Sequence, residues 1–139
     1  MSLIIPNLYL CSFQQAKNLA RKNKNVFVIN CTKELPMCAE RGLRIAVDDD
    51  GSNESNNIMS ESLEVILKFS NIIDIELQQG NIVIVHCLAG LQRSPTVVTA
   101  YIMQKHKLNM KDAIEFLQNK ASYAFMDGIH FETCLTNFL

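Results

Sequence analysis

The sequence predicts an α/β fold: a single domain over residues 1–139 whose central sheet is mixed, mostly parallel and flanked by helices on both faces. Short apolar runs rich in β-branched residues, such as 26–30 and 81–85, alternate with longer segments that have one apolar face. The chain contains 139 residues, with no internal repeat and no low-complexity segment. This length suits one compact domain with a sizeable core.

The first part of the chain is predicted to form two strands and one helix. Residues 5–10 have the pattern of a short edge strand with a proline at its start. Ser12 and Gln15 have the spacing of a capping box, which indicates that a helix follows and runs to about Lys22. Residues 26–30 form an unbroken apolar run that ends in asparagine, which is typical of a buried strand.

The middle of the chain predicts a third strand and a long helix. Residues 43–47 have the strand pattern, and the polar residues 52–57 after them predict a loop. Ser60 is the expected N-cap of a long helix, whose apolar positions recur at helical spacing until Gly80. Towards the end of the chain, Asn109 and Asp127 are expected to cap two further helices.

One stretch, residues 86–96, joins a predicted buried strand to a predicted buried helix. The strand is 81–85 and the helix is 96–103. Between them, Gly90 permits a tight turn, and Pro95 suits the first turn of a helix, where its missing N–H costs nothing. A strand, a tight loop and a helix N-terminus bring backbone N–H groups and the positive end of the helix dipole together. The stretch is therefore expected to bind an anion.

Two side chains in this stretch predict a reaction as well as binding. Cys87 stands where the strand ends, so the N–H groups and the dipole are expected to favour its thiolate, the nucleophilic form. Arg93 follows after five residues, and its planar guanidinium can bind two oxygens of a phosphate. This arrangement predicts nucleophilic attack on a phosphoryl group. The expected phosphate-binding residues are Leu88, Ala89, Gly90, Leu91, Gln92 and Arg93.

Residues 86–96 resemble the His-Cys-x-x-Gly-x-x-Arg-Ser signature of the cysteine-dependent protein tyrosine phosphatases, and they are most similar to the small dual-specificity phosphatases. The resemblance implies that residues 1–139 are a dual-specificity phosphatase catalytic domain with the protein tyrosine phosphatase fold. It also implies hydrolysis of phosphotyrosine and of phosphoserine or phosphothreonine in proteins, through a cysteinyl-phosphate and without a metal or other cofactor. Three features depart from the family pattern: Cys11 stands where glycine is usual, Gln92 stands where serine or glycine is usual, and residues 125–129 retain little of a Pro-Asn-x-Gly-Phe motif.

The resemblance also implies roles for three further side chains. His86 would organise the loop through hydrogen bonds to the backbone rather than act as a base. Ser94 would stabilise the thiolate as it leaves the cysteinyl-phosphate, with helix capping as the alternative role. In some relatives a cysteine at a place comparable to Cys31 forms a reversible disulfide with the nucleophile, and a buried free thiol is the alternative.

The reaction also needs a carboxylic acid, which protonates the leaving oxygen and then acts as a base for the attacking water. Asp48, Asp49 and Asp50 follow the third predicted strand and are the candidates. The general family pattern that begins at Ile45 selects Asp49. The Asp-Asp-Gly sequence of a related subgroup, the phosphatases of regenerating liver, selects Asp50. We expect Asp49 to be the acid, with Asp50 and then Asp48 as the alternatives.

Composition limits the partners and the compartment. The net charge of −1 does not indicate a nucleic-acid partner, and no apolar run approaches the roughly 18–20 residues of a membrane span. The first residues lack the features of a signal peptide. Five cysteines without metal-type spacing indicate free thiols in a reducing compartment, so we expect a cytoplasmic protein, with the nucleus as a second location. The expected partner is a phosphorylated protein, with no nucleic acid and no membrane, and a monomer is assumed.

Two other functions remain open at this point. Phosphatases for phosphoinositides or RNA 5′ ends usually place lysine in the signature loop, whereas the variable positions of this loop are uncharged. A non-catalytic module that only binds phosphoproteins is the second alternative. The presence of Cys87, Arg93 and a candidate acid argues against it.

Overall fold

The computed structural model describes residues 1–139 and contains five β-strands and six α-helices. A π-helical turn, Glu64–Phe69, continues directly from α2. The strands are β1 Ser2–Ile5, β2 Leu8–Cys11, β3 Val26–Asn30, β4 Gly42–Arg44 and β5 Ile82–His86. The helices are α1 Phe13–Lys22, α2 Asn53–Leu63, α3 Ile72–Gln78, α4 Arg93–His106, α5 Met110–Lys120 and α6 Glu132–Thr136.

β5 lies at the centre of the sheet, which has the strand order β1-β2-β5-β3-β4. β1 is antiparallel to β2, and every other neighbouring pair is parallel. The prediction of a mixed, mostly parallel sheet is therefore confirmed. Because β5 is paired on both sides, its carboxyl end emerges in the middle of the sheet edge, where open α/β sheets bind their ligands.

Helices cover both faces of the sheet, as predicted. α1 packs on one face, where Ala16 belongs to a small apolar cluster with Val28 and Ile84. The other helices enclose the larger core on the opposite face, which contains 32 buried residues. β3 is buried along its whole length, because a parallel strand covered on both sides has no face toward water. No helix is both long and apolar enough to cross a lipid bilayer.

The amino-terminal strand prediction was wrong. Residues 5–10 are not one edge strand, because β1 and β2 form a hairpin that turns at Pro6 and Asn7. Asn7 has a φ of +68°, a left-handed conformation that asparagine adopts more readily than most residues. The hairpin makes β1 the edge strand and places β2 against β5, where Cys11 pairs with His86.

The bounds of β4 and α2 also differ from the prediction. β4 ends at Arg44, and residues 45–47, predicted as strand, leave the sheet toward α2. α2 begins at Asn53 rather than after Ser60, so the predicted polar loop forms its first turns. The cap is Ser52, whose side-chain oxygen accepts a hydrogen bond of 3.1 Å from the backbone N–H three residues later. The side chains of these turns are mostly polar, so this part of the helix lacks the apolar periodicity from which a helix is predicted.

The single long helix predicted between Ser60 and Gly80 is interrupted. α2 passes into the π-helical turn, and the chain then changes direction at Asn71, which has a φ of +52°. An unbroken helix over these residues would be about 30 Å long, well beyond the roughly 17–20 Å of a typical strand. The break allows both parts to face the core, since Leu63 and Ile73 are fully buried.

The carboxyl-terminal predictions were partly correct. α4 begins at Arg93, before the predicted start. The predicted cap of α5 is confirmed, because the Asn109 side chain accepts a 2.8 Å hydrogen bond from a backbone N–H of the first turn. Asp127 caps no helix, because it lies in a turn whose next residue, Gly128, has a φ of +92°. α6 begins beyond that turn.

An ion pair between the half-exposed Arg41 and the buried Glu76 ties α3 to the segment between β3 and β4. The Glu76 side chain is 2% exposed, and each of its two oxygens accepts a 2.6 Å hydrogen bond from the Arg41 guanidinium. The Asn81 amide donates a further bond of 3.0 Å. The hydrogen bonds from Arg41 hold the pKa of Glu76 below its ordinary value of 4.5, so the group is a carboxylate at neutral pH.

We predict that Glu76→Gln lowers the free energy of unfolding by roughly 1–3 kcal/mol at neutral pH, because charge-assisted hydrogen bonds are lost. The pKa of Glu76 is depressed in the folded protein, so its stabilisation is complete above the ordinary value of 4.5 and is lost as the pH falls through the folded value. Urea unfolding of both proteins across this pH range measures the difference.

The matched control is Glu64→Gln. Glu64 pairs with Lys68 at 3.4 Å, and both side chains are partly exposed. The loss of such a surface pair should cost at most about 1 kcal/mol. The prediction is wrong if Glu76→Gln destabilises the protein equally at acidic and at neutral pH.

Candidate active site

The Cys87 thiol lies at the carboxyl end of the central strand β5 and is 3% exposed. Neighbouring elements hold the backbone on both sides of it. The N–H of Cys31, just after β3, donates to the His86 carbonyl at 2.8 Å. The N–H of Phe13, at the start of α1, donates to the Leu88 carbonyl at 3.0 Å. The chain around the thiol is therefore fixed by the sheet on one side and by α1 on the other.

The loop that follows, residues 88–92, leaves its backbone N–H groups without protein acceptors. None of these five N–H groups donates a hydrogen bond within the protein. Gly90 has a φ of +78°, and a Cβ there would lie 3.4 Å from the Cys11 carbonyl oxygen, so glycine is needed mainly for its backbone conformation. Five free donors at the N-terminus of α4 fit the predicted anion-binding loop.

The side chains of Ser94 and His86 both contact Cys87. The Ser94 Oγ lies 3.1 Å from the Cys87 Sγ, so its hydroxyl can donate to a thiolate. His86 is fully buried, and its Nδ1 lies 3.1 Å from the Cys87 carbonyl oxygen. Burial lowers the pKa of His86, so the ring is neutral and donates this bond from Nδ1. This geometry agrees with a backbone-organising role for His86.

Arg93 is 6% exposed and is held by two partners. Its Nη1 and Nη2 donate to the two carboxylate oxygens of Glu34 at 3.1 Å each, and Nη1 also donates to the Val47 carbonyl at 3.2 Å. Its Nε is buried and has no acceptor in the protein. The guanidinium is therefore fixed in place. Three of its five N–H groups are engaged, and the Nε–H and the second N–H of Nη2 remain for two oxygens of a ligand. Sequence reasoning missed Glu34, whose only signal was its position after β3, at the carboxyl edge of the sheet.

The structure separates the three candidate acids by their partners. Asp48 forms a 2.9 Å ion pair with Lys33 at the surface. Asp50 accepts hydrogen bonds from the Ser52 N–H at 3.0 Å and the Ser55 hydroxyl at 2.7 Å, at the start of α2. These bonds lower the pKa of Asp50 to about 2, so it is a carboxylate at neutral pH and a poor proton donor.

Asp49 has a different environment from its two neighbours. It follows Val47 by two residues, and the Val47 carbonyl accepts a 3.2 Å hydrogen bond from Arg93, so this segment lies beside the signature loop. Its Oδ1 lies 2.7 Å from the Nδ1 of His130, and the side chain is about one third exposed. Sequence reasoning did not find His130, because the two residues are 81 positions apart and no local pattern connects them.

Gln92 uses its side chain to hold the segment that contains His130. The side chain is buried, its Nε2 donates to the Gly128 carbonyl at 2.7 Å, and its Oε1 accepts from the His130 N–H at 3.1 Å. The backbone N–H of Gln92 remains unpaired. Gln92 can therefore offer a phosphate its backbone donor, whereas its side chain is already engaged.

Cys31 is a buried free thiol in this structure, and all five cysteines are free. Burial raises the pKa of Cys31 well above its ordinary value, and the charge of the nearby Cys87 adds to this effect. Cys31 is therefore a neutral thiol close to the candidate nucleophile.

Comparison with known protein families identifies the family to which this fold and loop belong. The sequence model described as "Dual specificity phosphatase, catalytic domain" matches residues 8–138. The chain belongs to this family. The resemblance predicted from residues 86–96 is thereby confirmed.

Known relatives of this dual-specificity phosphatase include human and viral proteins. It is 36% identical over 126 residues to human dual specificity protein phosphatase 9, covering 86% of this chain and 31% of that protein. It is 35% identical over 124 residues to the putative tyrosine phosphatase 123R of Invertebrate iridescent virus 6, covering 88% and 80% of the two chains. The crystal structure of DUSP15 matches with a TM-score of 0.77 at 28% identity, covering 99% and 86%. The chain thus spans about a third of the length of the human relative.

We predict that Arg93→Lys damages this dual-specificity phosphatase nearly as much as Arg93→Ala. Lysine keeps the charge but lacks the planar fork that binds two oxygens, so both variants should lower kcat/KM for a phosphotyrosine peptide by about 10²-fold or more. Steady-state kinetics measure this. Arg44→Lys is the matched control, because Arg44 binds only the Thr32 carbonyl, at 2.7 Å. Activity of Arg93→Lys within a few-fold of the wild type would show that bidentate binding is not what Arg93 supplies.

Proposed function

We propose that this domain hydrolyses phosphotyrosine and phosphoserine or phosphothreonine in proteins, through a cysteinyl-phosphate intermediate. One observation carries the proposal: five consecutive backbone N–H groups without protein acceptors, residues 88–92, directly follow the buried Cys87. The buried Nε of Arg93 is a further donor without a protein acceptor. A buried donor without a partner, such as the Arg93 Nε, is costly, and the oxygens of a phosphoryl group would bind both this donor and the loop N–H groups.

In the first step of the proposed reaction, the Cys87 thiolate attacks the phosphorus of the substrate. The S–P bond forms while the P–O bond to the substrate breaks, and the loop N–H groups and Arg93 stabilise the negative charge on the phosphoryl oxygens. Protonated Asp49 gives its proton to the leaving oxygen, so the product departs as a neutral alcohol or phenol. Asp49 is assigned this role because Asp48 is paired at the surface and Asp50 binds the start of α2.

In the second step, water attacks the phosphorus of the cysteinyl-phosphate. Asp49, now a carboxylate, takes one proton from the water, and the new O–P bond forms as the S–P bond breaks. Ser94, whose Oγ lies 3.1 Å from the Cys87 Sγ, donates a hydrogen bond to the departing thiolate. Inorganic phosphate leaves, and the cycle ends with Asp49 protonated and Cys87 ionised, as the first step requires.

The exposed start of the signature loop supports action on both long and short phosphorylated side chains. Leu88, the first residue after the thiol, is 56% exposed. A shallow site of this kind does not require the length of a tyrosine ring, so phosphoserine and phosphothreonine can also reach Cys87.

The chemistry of the loop supports a phosphorylated protein as the substrate. The variable side chains of the binding loop carry no charge that would recognise the additional phosphates of a phosphoinositide or an RNA 5′ end. The five free cysteines support a reducing compartment, which we propose to be the cytoplasm, with the nucleus as a second location. The proposed enzyme acts as a monomer without a nucleic-acid or membrane partner. The uncharged positions are Leu88, Ala89, Leu91 and Gln92.

We predict that Cys87→Ser abolishes turnover of phosphotyrosine and phosphothreonine peptides while peptide binding is retained. The serine hydroxyl is not ionised at neutral pH, whereas the donors that bind the phosphate are unchanged. Phosphate release measures turnover, and calorimetry measures binding. Cys38→Ser, at a partly exposed cysteine outside the loop, is the matched control and should keep full activity.

The same assays on the wild type distinguish the alternatives to this proposal. Retained turnover in Cys87→Ser would exclude the cysteinyl-phosphate mechanism. A wild-type protein that binds phosphopeptides without turning them over would be a binding module. Faster turnover of phosphoinositides or of triphosphate RNA than of any phosphopeptide would identify a non-protein substrate.

We predict that Asp49→Asn lowers kcat/KM for a phosphotyrosine peptide by about 10²–10⁴-fold, the usual contribution of a general acid. An aryl phosphate with a low-pKa phenol needs little protonation as it leaves, so its kcat/KM should fall much less. Asp48→Asn and Asp50→Asn are the matched controls and should show no dependence on the leaving group. If the dependence appears in Asp50→Asn and not in Asp49→Asn, the acid has been assigned one residue too early.

A further inference from the structure

We propose that His130 is a positioning residue for Asp49: it holds the carboxyl group of the acid, and Gln92 ties His130 to the phosphate-binding loop. The inference rests on the proposed function, in which Asp49 is the proton donor. It is carried by a continuous set of hydrogen bonds that runs from the signature loop to the acid.

The set begins at the buried amide of Gln92. Its Nε2 and its Oε1 are both bonded to the 128–130 segment, at 2.7 Å to the Gly128 carbonyl and at 3.1 Å from the His130 N–H. Gln92 is 2% exposed. A shift of the segment would leave a buried donor and a buried acceptor unpaired, which is costly. Gln92 therefore holds the segment in one register relative to the loop.

A second buried amide fixes His130 from the other side. Asn56, in α2, is 5% exposed. Its Nδ2 donates to the His130 carbonyl at 3.2 Å, and its Oδ1 accepts from the Cys134 N–H at 3.0 Å. The backbone of His130 is thus held at both its N–H and its C=O. Because the backbone is fixed, the imidazole is presented to Asp49 from a defined position.

Asp49 depends on this partner because its neighbours are tied to other parts of the molecule. Asp48 pairs with Lys33, and Asp50 binds the first turn of α2. The Asp49 side chain is 34% exposed, and without a partner it would sample several rotamers. The hydrogen bond to His130 selects one of them and engages only Oδ1, which leaves Oδ2 for the leaving oxygen.

Gln92, at one end of this contact, departs from the family pattern, and the other end lies in a segment that departs from it. Gln92 stands where serine or glycine is usual, and Gly128 belongs to the segment that retains little of the family motif. A serine at position 92 is too short to bond both Gly128 and His130. Gln92 immediately precedes Arg93, so one network sets the distance between the acid and the phosphate-binding group. A fixed distance of this kind is what proton transfer to the leaving oxygen requires.

The first test compares His130→Ala with His130→Asn. The alanine variant should lower kcat/KM for a phosphotyrosine peptide by about 10- to 100-fold, the loss expected from a misplaced catalytic group, and should change a low-pKa aryl phosphate by less than about threefold. Asparagine places an amide N–H where Nδ1 lies and should restore peptide turnover to within about threefold of the wild type. His106→Ala, at the exposed end of α4, is the matched control and should have no effect.

The second test places His130→Ala in the Asp49→Asn background. If His130 acts only through Asp49, the double variant should be no slower than Asp49→Asn alone. An additional tenfold loss in that background would overturn the inference, as would an asparagine variant no better than alanine. Both results leave the leaving-group effect of Asp49→Asn intact, so the proposed function would stand. If Asp49→Asn itself shows no leaving-group effect, the acid assignment fails and this inference fails with it.

Discussion

The direction of the peptide groups in residues 86–92 is the constraint on which the rest of this structure depends. A planar trans peptide points its C=O and its N–H in opposite directions. The carbonyls of His86, Leu88 and Leu91 accept hydrogen bonds from Cys31, Phe13 and Phe125, whereas the N–H groups of 88–92 donate to no protein atom. The elements around the loop therefore keep its carbonyls engaged and its donors free. The central position of β5, the hairpin that brings β2 beside it and the placement of α1 all serve this arrangement.

The charged groups around the loop differ in their hydrogen-bond partners, even where they are adjacent in the sequence. Glu34 and the Val47 carbonyl engage three N–H groups of the Arg93 guanidinium and leave the Nε–H and one Nη2–H unpaired. The three successive aspartates have three separate partners: a surface lysine, a histidine from the 128–130 segment and the first turn of α2. Because each carboxylate is engaged differently, one short segment can supply a proton donor beside a helix cap. The loop with its free donors and the hydrogen bond between Asp49 and His130 are the two features on which the proposed phosphoryl transfer to Cys87 rests.

Sequence reasoning succeeded where the cause of a structure is local. The capping box at Ser12, the cap at Asn109 and the buried run 26–30 each depend on residues within one turn or one strand, and each is found in the structure. It failed where the cause lies elsewhere. The long helix expected from Ser60 is broken at Asn71, which lets both of its parts face the core. Residues 45–47 continue beyond β4 and bring the Val47 carbonyl to Arg93.

The sequence by itself determined the signature loop and its family, because the residues of the signature lie within one strand–loop–helix unit and their spacing is visible in the sequence. These residues are Cys87, Gly90, Arg93 and Ser94. Tertiary structure alone decided which aspartate stands beside His130, and it alone revealed Glu34 and the role of the Gln92 side chain. The physical reason is chain separation. Glu34 and Arg93 are 59 residues apart, Gln92 and His130 are 38 apart, and Asp49 and His130 are 81 apart. Hydrogen bonds over such separations leave no periodicity or spacing in the sequence, because they exist only once the strands and helices have packed together.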